Sequence, residues 1–372
     1  MTSVDGWSGP APPWQPEIRF CRGFDGTRLA FSVAGFGSPL VMVGPFATHL
    51  QLDDEHPAMR AGLDALRRRF TVVRYDERGR GMSRCASGTD DLATRVRDFE
   101  TVVDAVGLDR FAILAVHMGG PVGIAYSAVH PDRVTQLILL STFARGPALL
   151  DRTPREAFLF AKLIAEGWGR SSRTRRLLSS GIAPGVSEET LTWMDETQPA
   201  VGSAPTIAAS YWNQAKADAS AVLANVVTPT LVIHAEDDKL TGFAEACRVV
   251  EAIPEAHLIS FAAGGNALPE HAPNWAQAVE NIGSMISPTT LPEPAHHPCL
   301  ADLSARERQL LRRVANGMSN AEIAAAEYLS VRTVERHVSN IYRKLHLTGS
   351  TARTRAVAMH VRDGGRIDPA PT

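Results

Sequence analysis

The chain has 372 residues, of which 44% are hydrophobic and 21% charged, and its formal net charge is -2. This length allows two domains with a sizeable core, and the absence of repeats and low-complexity tracts excludes the fibrous and repeat classes. The net charge hides an asymmetry, because residues 302–372 carry 12 Lys and Arg against 7 Asp and Glu, whereas the remainder carries 26 against 33. A basic segment joined to an acidic body predicts a nucleic-acid partner for the C-terminal part only.

The four cysteines, Cys21, Cys85, Cys247 and Cys299, form no C-x-x-C pair. The sequence therefore predicts free thiols in a reducing compartment, with no zinc site and no disulfide framework. The N-terminus lacks a basic start followed by a long apolar run, and no apolar stretch approaches the ~20 residues of a membrane span. We expect a cytoplasmic protein that contacts no membrane and needs no metal or other cofactor.

Residues 1–16 are rich in proline and are expected to form a flexible lead-in. After them, short apolar runs alternate with stretches of helical periodicity. The predicted strands cover residues 18–21, 29–34, 40–44, 70–75, 111–116, 136–140, 230–234 and 257–261. The predicted helices between them cover about 57–69, 92–106, 119–129, 242–252 and 272–286. Several strands are continuous apolar runs, which indicates a mostly parallel sheet buried on both faces and a doubly wound α/β fold.

Residues 145–222 interrupt this alternation with helical segments only, so we expect a helical lid over one end of the sheet. The aromatic residues of the lid are most simply its own core, but we place one of them, Trp212, in a pocket. Residues 288–301 contain four prolines and no apolar period, which is typical of a linker. We therefore predict a first domain at 17–287 and a second at 302–364, followed by a tail at 365–372.

The stretch 319–345 is typical of two helices joined by a tight turn. Ser319 and Glu322 have the spacing of a capping box at the start of the first helix, and Ser330 can begin the second. Apolar residues of the second helix recur at helical spacing, opposite a basic and hydrogen-bonding face. Such a helix suits the DNA major groove, although an ordinary amphipathic helix has the same period. The residues expected to contact DNA are Asn320, Ser330, Arg332, Thr333, Arg336, His337, Asn340 and Lys344.

This C-terminal part resembles the LuxR-type (GerE-like) helix-turn-helix domain. The residues that carry the resemblance are Leu303, Ser304, Arg306, Glu307, Leu310, Leu311, Val314, Ala315, Gly317, Ser319, Asn320, Glu322, Ile323, Ala324, Ser330, Val331, Thr333, Val334, His337, Val338, Ile341, Tyr342, Lys344, Leu345 and the run R-T-R-A at 353–356. Glu327 departs from the pattern, because the family usually has a buried leucine there. The resemblance implies a homodimer, formed through the last helix at about 350–361, that binds a pseudo-palindromic operator in double-stranded DNA.

Residues 17–287 resemble the α/β-hydrolase fold in four motifs. These are Y-D-E-R-G-R-G-M-S at 75–83, A-V-H-M-G-G at 115–120, H-A-E-D-D at 234–238 and G-G-N-A-L at 264–268. Their order is the family's order of nucleophile, acid and base. In this sequence His117 occupies the nucleophile position and Asn266 the base position. Only the acid remains, as Asp238, with Asp237 the less favoured register.

The degenerate triad predicts that the chain is not an enzyme. In hydrolases of this fold the nucleophile lies on a sharp turn between a strand and a helix, the nucleophile elbow. This nucleophile needs a hydroxyl or thiol that an imidazole deprotonates. The asparagine at the base position accepts no proton at neutral pH. The glycines of the elbow remain, so we expect the site to keep its shape. His117 could instead be a core histidine satisfied by a carbonyl, and Asp238 a surface acid in a turn. The residues expected to line a ligand pocket are Phe46, His117, Met118, Gly119, Phe143, Trp212, Asp238 and Asn266.

Together these patterns predict a ligand-responsive, DNA-binding transcriptional regulator with a small-molecule effector. One alternative is a hydrolase or lyase in which His117 and Asp238 act with water. Another is a hydrolase-like frame that serves only as a dimerisation or docking body. We further expect a hydrogen-bonded chain from His117 through Asn266 to Asp238, because one amide can both accept and donate.

Overall fold

The computed structural model describes residues 16–83, 90–147, 154–262, 274–286, 303–316, 318–327 and 329–344. The chain divides into two compact units, Met1–Ser287 and Pro288–Thr372. No helix in these described ranges combines the length and the apolar character needed to cross a membrane.

One sheet of eight strands forms the centre of the first unit. The strands are β1 (Ile18–Arg22), β2 (Arg28–Gly35), β3 (Ser38–Val43), β4 (Phe70–Tyr75), β5 (Phe111–Val116), β6 (Val134–Leu140), β7 (Thr230–Ala235) and β8 (His257–Phe261). Their order in space is β1-β2-β4-β3-β5-β6-β7-β8. The pairs β1–β2 and β2–β4 are antiparallel, and every later pair is parallel. The predicted α/β fold is confirmed, and the predicted strand ends differ from the observed ones by at most two residues.

Helices cover the two faces of the sheet and build the lid. They are α1 (Leu50–Glu55), α2 (Pro57–Arg67), α3 (Leu92–Val106), α4 (Gly120–Val129), α5 (Pro154–Gly167), α6 (Ser172–Ile182), α7 (Glu188–Val201), α8 (Ala204–Ala215), α9 (Phe243–Ala252) and α10 (Trp275–Met285). The four helices α5 to α8 fall within the predicted lid. The sequence analysis did not predict α1, because six residues are too few to show a helical period.

Strand β5 lies in the middle of the core, and all its residues are buried. Its side chains alternate between two hydrophobic layers, as the pleat of a strand requires. Phe111, Ile113 and Ala115 pack against α3 and α4. Leu114 and Val116 pack on the opposite face against α2 and α10. The end of β5 is therefore held on both sides, and this end carries the functional turn.

A buried group of charges around Glu77 ties the lid to the sheet. The Glu77 carboxylate accepts hydrogen bonds from Arg95 and, at 2.5 Å, from Arg80. The same carboxylate accepts a hydrogen bond of 3.1 Å from Gln214 on α8. Arg80 also donates to the hydroxyl of Ser210, one turn earlier on that helix. Because a buried carboxylate left without partners costs several kcal/mol, these bonds fix the position of α8 over the sheet.

The second unit contains the helices α11 (Ala305–Ala315), α12 (Asn320–Ala326) and α13 (Val331–Lys344). The predicted capping box of Ser319 and Glu322 begins α12, and Ser304 with Glu307 forms another at the start of α11. Apolar side chains from the three helices form one core. Its fully covered members include Leu310, Leu311, Val314, Ile323, Ala324, Val334 and Ile341.

Glu327, which stands where the related domains usually have a leucine, is accommodated by polar neighbours. Its carboxylate accepts hydrogen bonds of 3.2 Å from the Nε of Arg313 and from the side-chain amide of Gln309. Both partners lie on α11, so this contact links the end of α12 to that helix. The loss of a buried leucine is therefore offset by an ion pair and a hydrogen bond.

The lid attachment predicts that Gln214→Ala destabilises the chain. The substitution removes a hydrogen bond to a buried charged group, for which we expect a loss of about 1.5–3 kcal/mol in the free energy of unfolding. Urea denaturation of the full chain measures this loss. The matched control is Gln277→Ala on the exposed side of α10, which should change stability by less than about 0.5 kcal/mol. Equal losses in the two variants would contradict the role of α8.

Candidate functional site

The turn after β5 has the geometry of a nucleophile elbow but carries an imidazole. The strand ends at Val116, a single 3-10 turn follows at His117–Gly119, and α4 begins at Gly120. His117 has a φ of 55°. A positive φ is uncommon outside glycine, although histidine adopts it more readily than most residues. The turn therefore holds the His117 side chain at the tip between strand and helix.

Two glycines allow this turn to pack against neighbouring backbone. A Cβ added at Gly119 would lie 2.1 Å from the carbonyl oxygen of Val43, at the end of β3. A Cβ at Gly120 would lie 2.6 Å from the carbonyl oxygen of Phe143, which follows β6. Backbone atoms cannot move aside as a flexible side chain can, so each position requires glycine.

The imidazole of His117 is neutral and incompletely hydrogen-bonded. Its Nε2 atom is buried and has no hydrogen-bond partner among the described residues. Burial lowers the pKa of His117, as does the neighbouring His234, while the Asp238 carboxylate raises it; the net shift is downward. The residue nevertheless keeps part of its surface accessible, because it borders two cavities.

Asp238 is buried behind this site. Its Oδ1 accepts hydrogen bonds from the backbone N–H groups of Leu240 at 2.8 Å and Thr241 at 3.1 Å. Its Oδ2 lies 3.7 Å from the Nε2 of His234, which itself donates to the Thr241 carbonyl at 2.7 Å. His234 thus belongs to the site, although the sequence analysis included it only as the first letter of the acid motif. Asn266 lies outside the described residues, so its predicted links to His117 and Asp238 stay predictions.

Two cavities meet at His117, between the end of the sheet and the lid. The small chamber, of about 60 Å³, has an apolar wall that includes Met59, Val116, Trp168 and Trp193. The large chamber, of about 240 Å³, has a wall that includes Met118, Phe143, Phe160 and Tyr211. Phe46, His117 and Ile182 border both chambers.

The structure places four of the eight predicted pocket residues at these walls. Phe46 and His117 border both chambers, and Met118 and Phe143 border the large one. Gly119 is the last residue of the turn His117–Gly119 and lines neither chamber. Asp238 also lines neither chamber. Leu240 and Thr241, whose backbone N–H groups donate to Asp238, do line the large chamber.

The prediction that Trp212 lines the pocket is wrong. Its ring packs against Phe158, with 5.7 Å between ring centroids, and the Lys216 ammonium lies 5.1 Å from its centre. Tyr211 takes the expected place instead. Adjacent residues of a helix point about 100° apart, so only one of the two can face the cavity. Nothing in the sequence indicated which face of α8 turns inward.

Helix α13 presents a polar face opposite its buried stripe. Arg332 and Arg336 are exposed, while Thr333, His337 and Asn340 are half-buried at the edges of this face. Glu335 and Ser339 are also exposed and were not among the predicted contacts. Their spacing could have indicated this, because each lies three residues after one of the two arginines and therefore on the same side of the helix.

Three of the predicted DNA-contacting residues, Ser330, Thr333 and Lys344, form hydrogen bonds within the unit. The Ser330 hydroxyl accepts a hydrogen bond of 3.1 Å from the N–H of Thr333 and so caps α13. The Lys344 ammonium donates to Glu307 on α11 at 2.7 Å. Asn320 is the first residue of α12 and is half-buried. Arg332, Arg336 and Lys344 are all exposed, but Lys344 is held in an ion pair with Glu307.

The fold and the two sites define a hydrolase-like α/β unit joined to a helix-turn-helix unit. Residues 63–264, more than half of the chain, match the family model described as "Serine aminopeptidase, S33". Residues 301–358 match the model of the luxR family of bacterial regulatory proteins. The chain therefore belongs to the first family, which has the α/β-hydrolase fold, and its C-terminal unit is a LuxR-type (GerE) domain. Both resemblances inferred from the sequence motifs are confirmed.

Individual relatives show the same division. RutD of Azorhizobium caulinodans, named as a carbamate hydrolase, is 26% identical over 66% of this chain and 91% of its own length. The transcriptional regulatory protein SgaR of Hyphomicrobium methylovorum is 47% identical over 66 residues, which are 18% of this chain and 30% of SgaR. The crystal structure of the esterase RhEst1 from Rhodococcus superimposes with a TM-score of 0.60 at 22% identity, covering 73% of this chain and 99% of the esterase. That likeness establishes the fold alone.

The elbow geometry predicts that Gly119→Ala destabilises the chain, because the new methyl group would overlap the Val43 carbonyl. Overpacking of this kind costs about 1–3 kcal/mol, which thermal or urea unfolding measures. At Gly242 an added Cβ meets no atom within 4 Å, so Gly242→Ala serves as the matched control and should cost clearly less. A Gly119→Ala variant as stable as the control would refute the close approach.

Proposed function

We propose that this chain is a transcriptional regulator whose activity depends on a small molecule. The LuxR-type domain supports DNA binding, and its fusion to a hydrolase-like domain supports a regulatory role. In this proposal the small molecule binds in the two chambers beneath the lid. The chain acts in the cytoplasm as a homodimer on a pseudo-palindromic operator; the helix expected to form the dimer, at about 350–361, lies outside the described residues.

The observation that carries the proposal is the imidazole of His117 on an elbow of preserved shape. The position at which a serine hydrolase needs a nucleophilic hydroxyl has no hydroxyl or thiol. Loss of that nucleophile lowers the rate of a serine protease by roughly 10⁶. A cavity next to the disabled position can still bind a molecule. We infer that the unit has kept binding and given up ester hydrolysis.

A catalytic alternative rests on the buried polar group formed by His117, His234 and Asp238. A water molecule between an imidazole and a carboxylate can act as a nucleophile. The alternative and the proposal differ in one measurable property, which is the turnover of a simple ester.

We expect no release of p-nitrophenol from short p-nitrophenyl esters beyond that of heat-denatured protein. Because the turn after β5 carries no hydroxyl or thiol for an imidazole to deprotonate, the serine-hydrolase route is closed and the expected turnover is that of the background. The measurement is absorbance of p-nitrophenolate over hours at high protein concentration. Turnover that disappears in His117→Ala would instead favour the catalytic alternative.

The DNA-binding role predicts a difference between two arginines. After an operator has been selected from randomised DNA, Arg336→Ala should weaken its binding by about 1–3 kcal/mol and relax the base preference at one position in each half-site. Arg312→Ala removes the same charge from an exposed position on α11 and is the matched control. Fluorescence anisotropy with labelled operator gives both affinities. Equal losses would mean that the exposed face of α13 does not meet the bases.

The link between the two units is tested with the compound that copurifies with the chain, identified by mass spectrometry after denaturation. Its addition should change the affinity for the selected operator. Ile182→Trp fills space that both chambers share and should abolish this response while DNA binding persists. A response that survives in Ile182→Trp would place the small molecule elsewhere.

A further inference from the structure

Most polar side chains in the wall of the small chamber already have hydrogen-bond partners within the protein. The side-chain amide of Gln198 donates to the Arg175 carbonyl and to the hydroxyl of Ser179, both at 3.0 Å, and its oxygen accepts from the N–H of Gly169. The hydroxyl of Thr197 donates to a backbone carbonyl one turn earlier, at 2.9 Å. A chamber whose polar groups are already satisfied favours an apolar occupant over water.

The one acidic side chain in the wall of the small chamber, within the described residues, is already paired. Asp53 forms a buried ion pair with Arg74 and accepts from the N–H of His49 at 3.4 Å. Its charge is therefore already balanced by the guanidinium of Arg74. A cationic ligand would have to compete with this guanidinium, which disfavours a positive charge in the chamber.

The large chamber disfavours an anion. Its described wall residues include no lysine or arginine, and Glu156 stands at its exposed edge. The aromatic rings of Phe143, Phe160 and Tyr211 form much of the remaining wall. Burial raises the pKa of the Tyr211 phenol to about 12, so this group is neutral as well. An anionic ligand would lose its hydration and gain no counter-charge.

His117 is the exception to this pattern, and it lies where the chambers meet. No other described wall residue has a buried side-chain nitrogen or oxygen without a hydrogen-bond partner. An unsatisfied buried polar atom is unfavourable, so a ligand that bonds to it gains affinity. Because the imidazole is neutral, its natural partner is a neutral oxygen that accepts or donates one hydrogen bond.

The volumes set the size of what each chamber accepts. A cavity needs a volume of roughly 10–15 Å³ to hold one water-sized sphere. The 60 Å³ of the small chamber, room for about four to six such spheres, thus suits a small alkyl group, and the 240 Å³ of the large chamber suits a phenyl ring or a larger apolar group.

We propose that the effector is an uncharged molecule with two apolar arms of unequal size on either side of one carbonyl or hydroxyl oxygen, which hydrogen-bonds to His117. The small arm enters the small chamber and the large arm enters the large one. This inference rests on the proposed function, since it specifies the class of small molecule that the regulator binds. It excludes carboxylates and amines of the same size.

Three probes of nearly equal shape test the inference on the full chain. Benzylacetone has a phenyl arm, a methyl arm and a carbonyl between them. Hydrocinnamate replaces the methyl group with a carboxylate oxygen, and butylbenzene lacks the polar oxygen. Tryptophan fluorescence reports binding, because Trp168 and Trp193 line the small chamber; calorimetry gives the affinities. We expect benzylacetone to bind at least about fivefold more tightly than butylbenzene, as one hydrogen bond implies, and hydrocinnamate at least about tenfold more weakly than benzylacetone.

A variant isolates the hydrogen bond. In His117→Leu the difference between benzylacetone and butylbenzene should vanish, while butylbenzene still binds; retained butylbenzene binding shows that the variant is folded. If His117→Leu does not fold, His117→Asn, which tolerates the positive φ of this turn, should keep part of the preference for benzylacetone.

A second variant tests the two arms. Ala183 borders the small chamber, and Ala183→Leu should fill it. Benzylacetone should then bind at least about tenfold more weakly, whereas phenol, which has no second arm, should bind unchanged.

The inference is overturned if hydrocinnamate binds as tightly as benzylacetone, if butylbenzene matches benzylacetone in the unaltered chain, or if none of the probes binds to folded protein at millimolar concentration. None of these outcomes involves DNA. Operator binding and its response to the copurified compound therefore test the proposed function separately from the class of ligand.

Discussion

The pairing of the buried Glu77 carboxylate is the constraint on which the pocket depends. Glu77 holds Arg80, and the Arg80 guanidinium lies 4.7 Å from the centre of the Phe46 ring. Phe46 in turn meets Tyr211 edge to face, with 5.7 Å between centroids. The hydrogen bond from Gln214 to Glu77 orients the helix that carries Tyr211. One satisfied charge thereby positions the wall between the chambers and an aromatic wall of the larger one.

The elbow separates two properties that hydrolases combine. Its shape depends on backbone that approaches closely at Gly119 and Gly120, and the chain keeps both glycines. Its chemistry depends on one side chain, and His117 cannot serve as the hydroxyl nucleophile. The shape of the turn is therefore retained, while the hydroxyl nucleophile is absent. Under the proposed function, the cavities beside His117 serve recognition.

A feature could be predicted from the sequence where neighbouring residues determine it, and could not where it depends on tertiary packing. The apolar run of β5 and the glycines after it indicate a buried strand and a tight turn, and the resemblance of four motifs to the α/β-hydrolase fold predicted the position of His117 at that turn. Trp212 could not be placed correctly, because both faces of α8 carry aromatic residues and only tertiary packing selects one. Glu335 was not among the predicted contacts, although its spacing from Arg332 places it on the exposed face. The predicted contact of His117 with Asn266 stays a prediction, because residue 266 lies outside the described residues.

The carboxylate of Glu307 has a consequence for how the second unit is held together. Its Oε2 accepts from the N–H of Ser304, which caps the start of α11, and also from the ammonium of Lys344, at the C-terminal end of α13, each at 2.7 Å. The start of α11 and the C-terminal end of α13 thus share a single hydrogen-bond acceptor. Any competing anion that draws Lys344 away, a phosphate of the double helix included, leaves Glu307 with its capping contacts alone. A contact between Lys344 and such an anion would then change how Glu307 holds Ser304 at the start of α11.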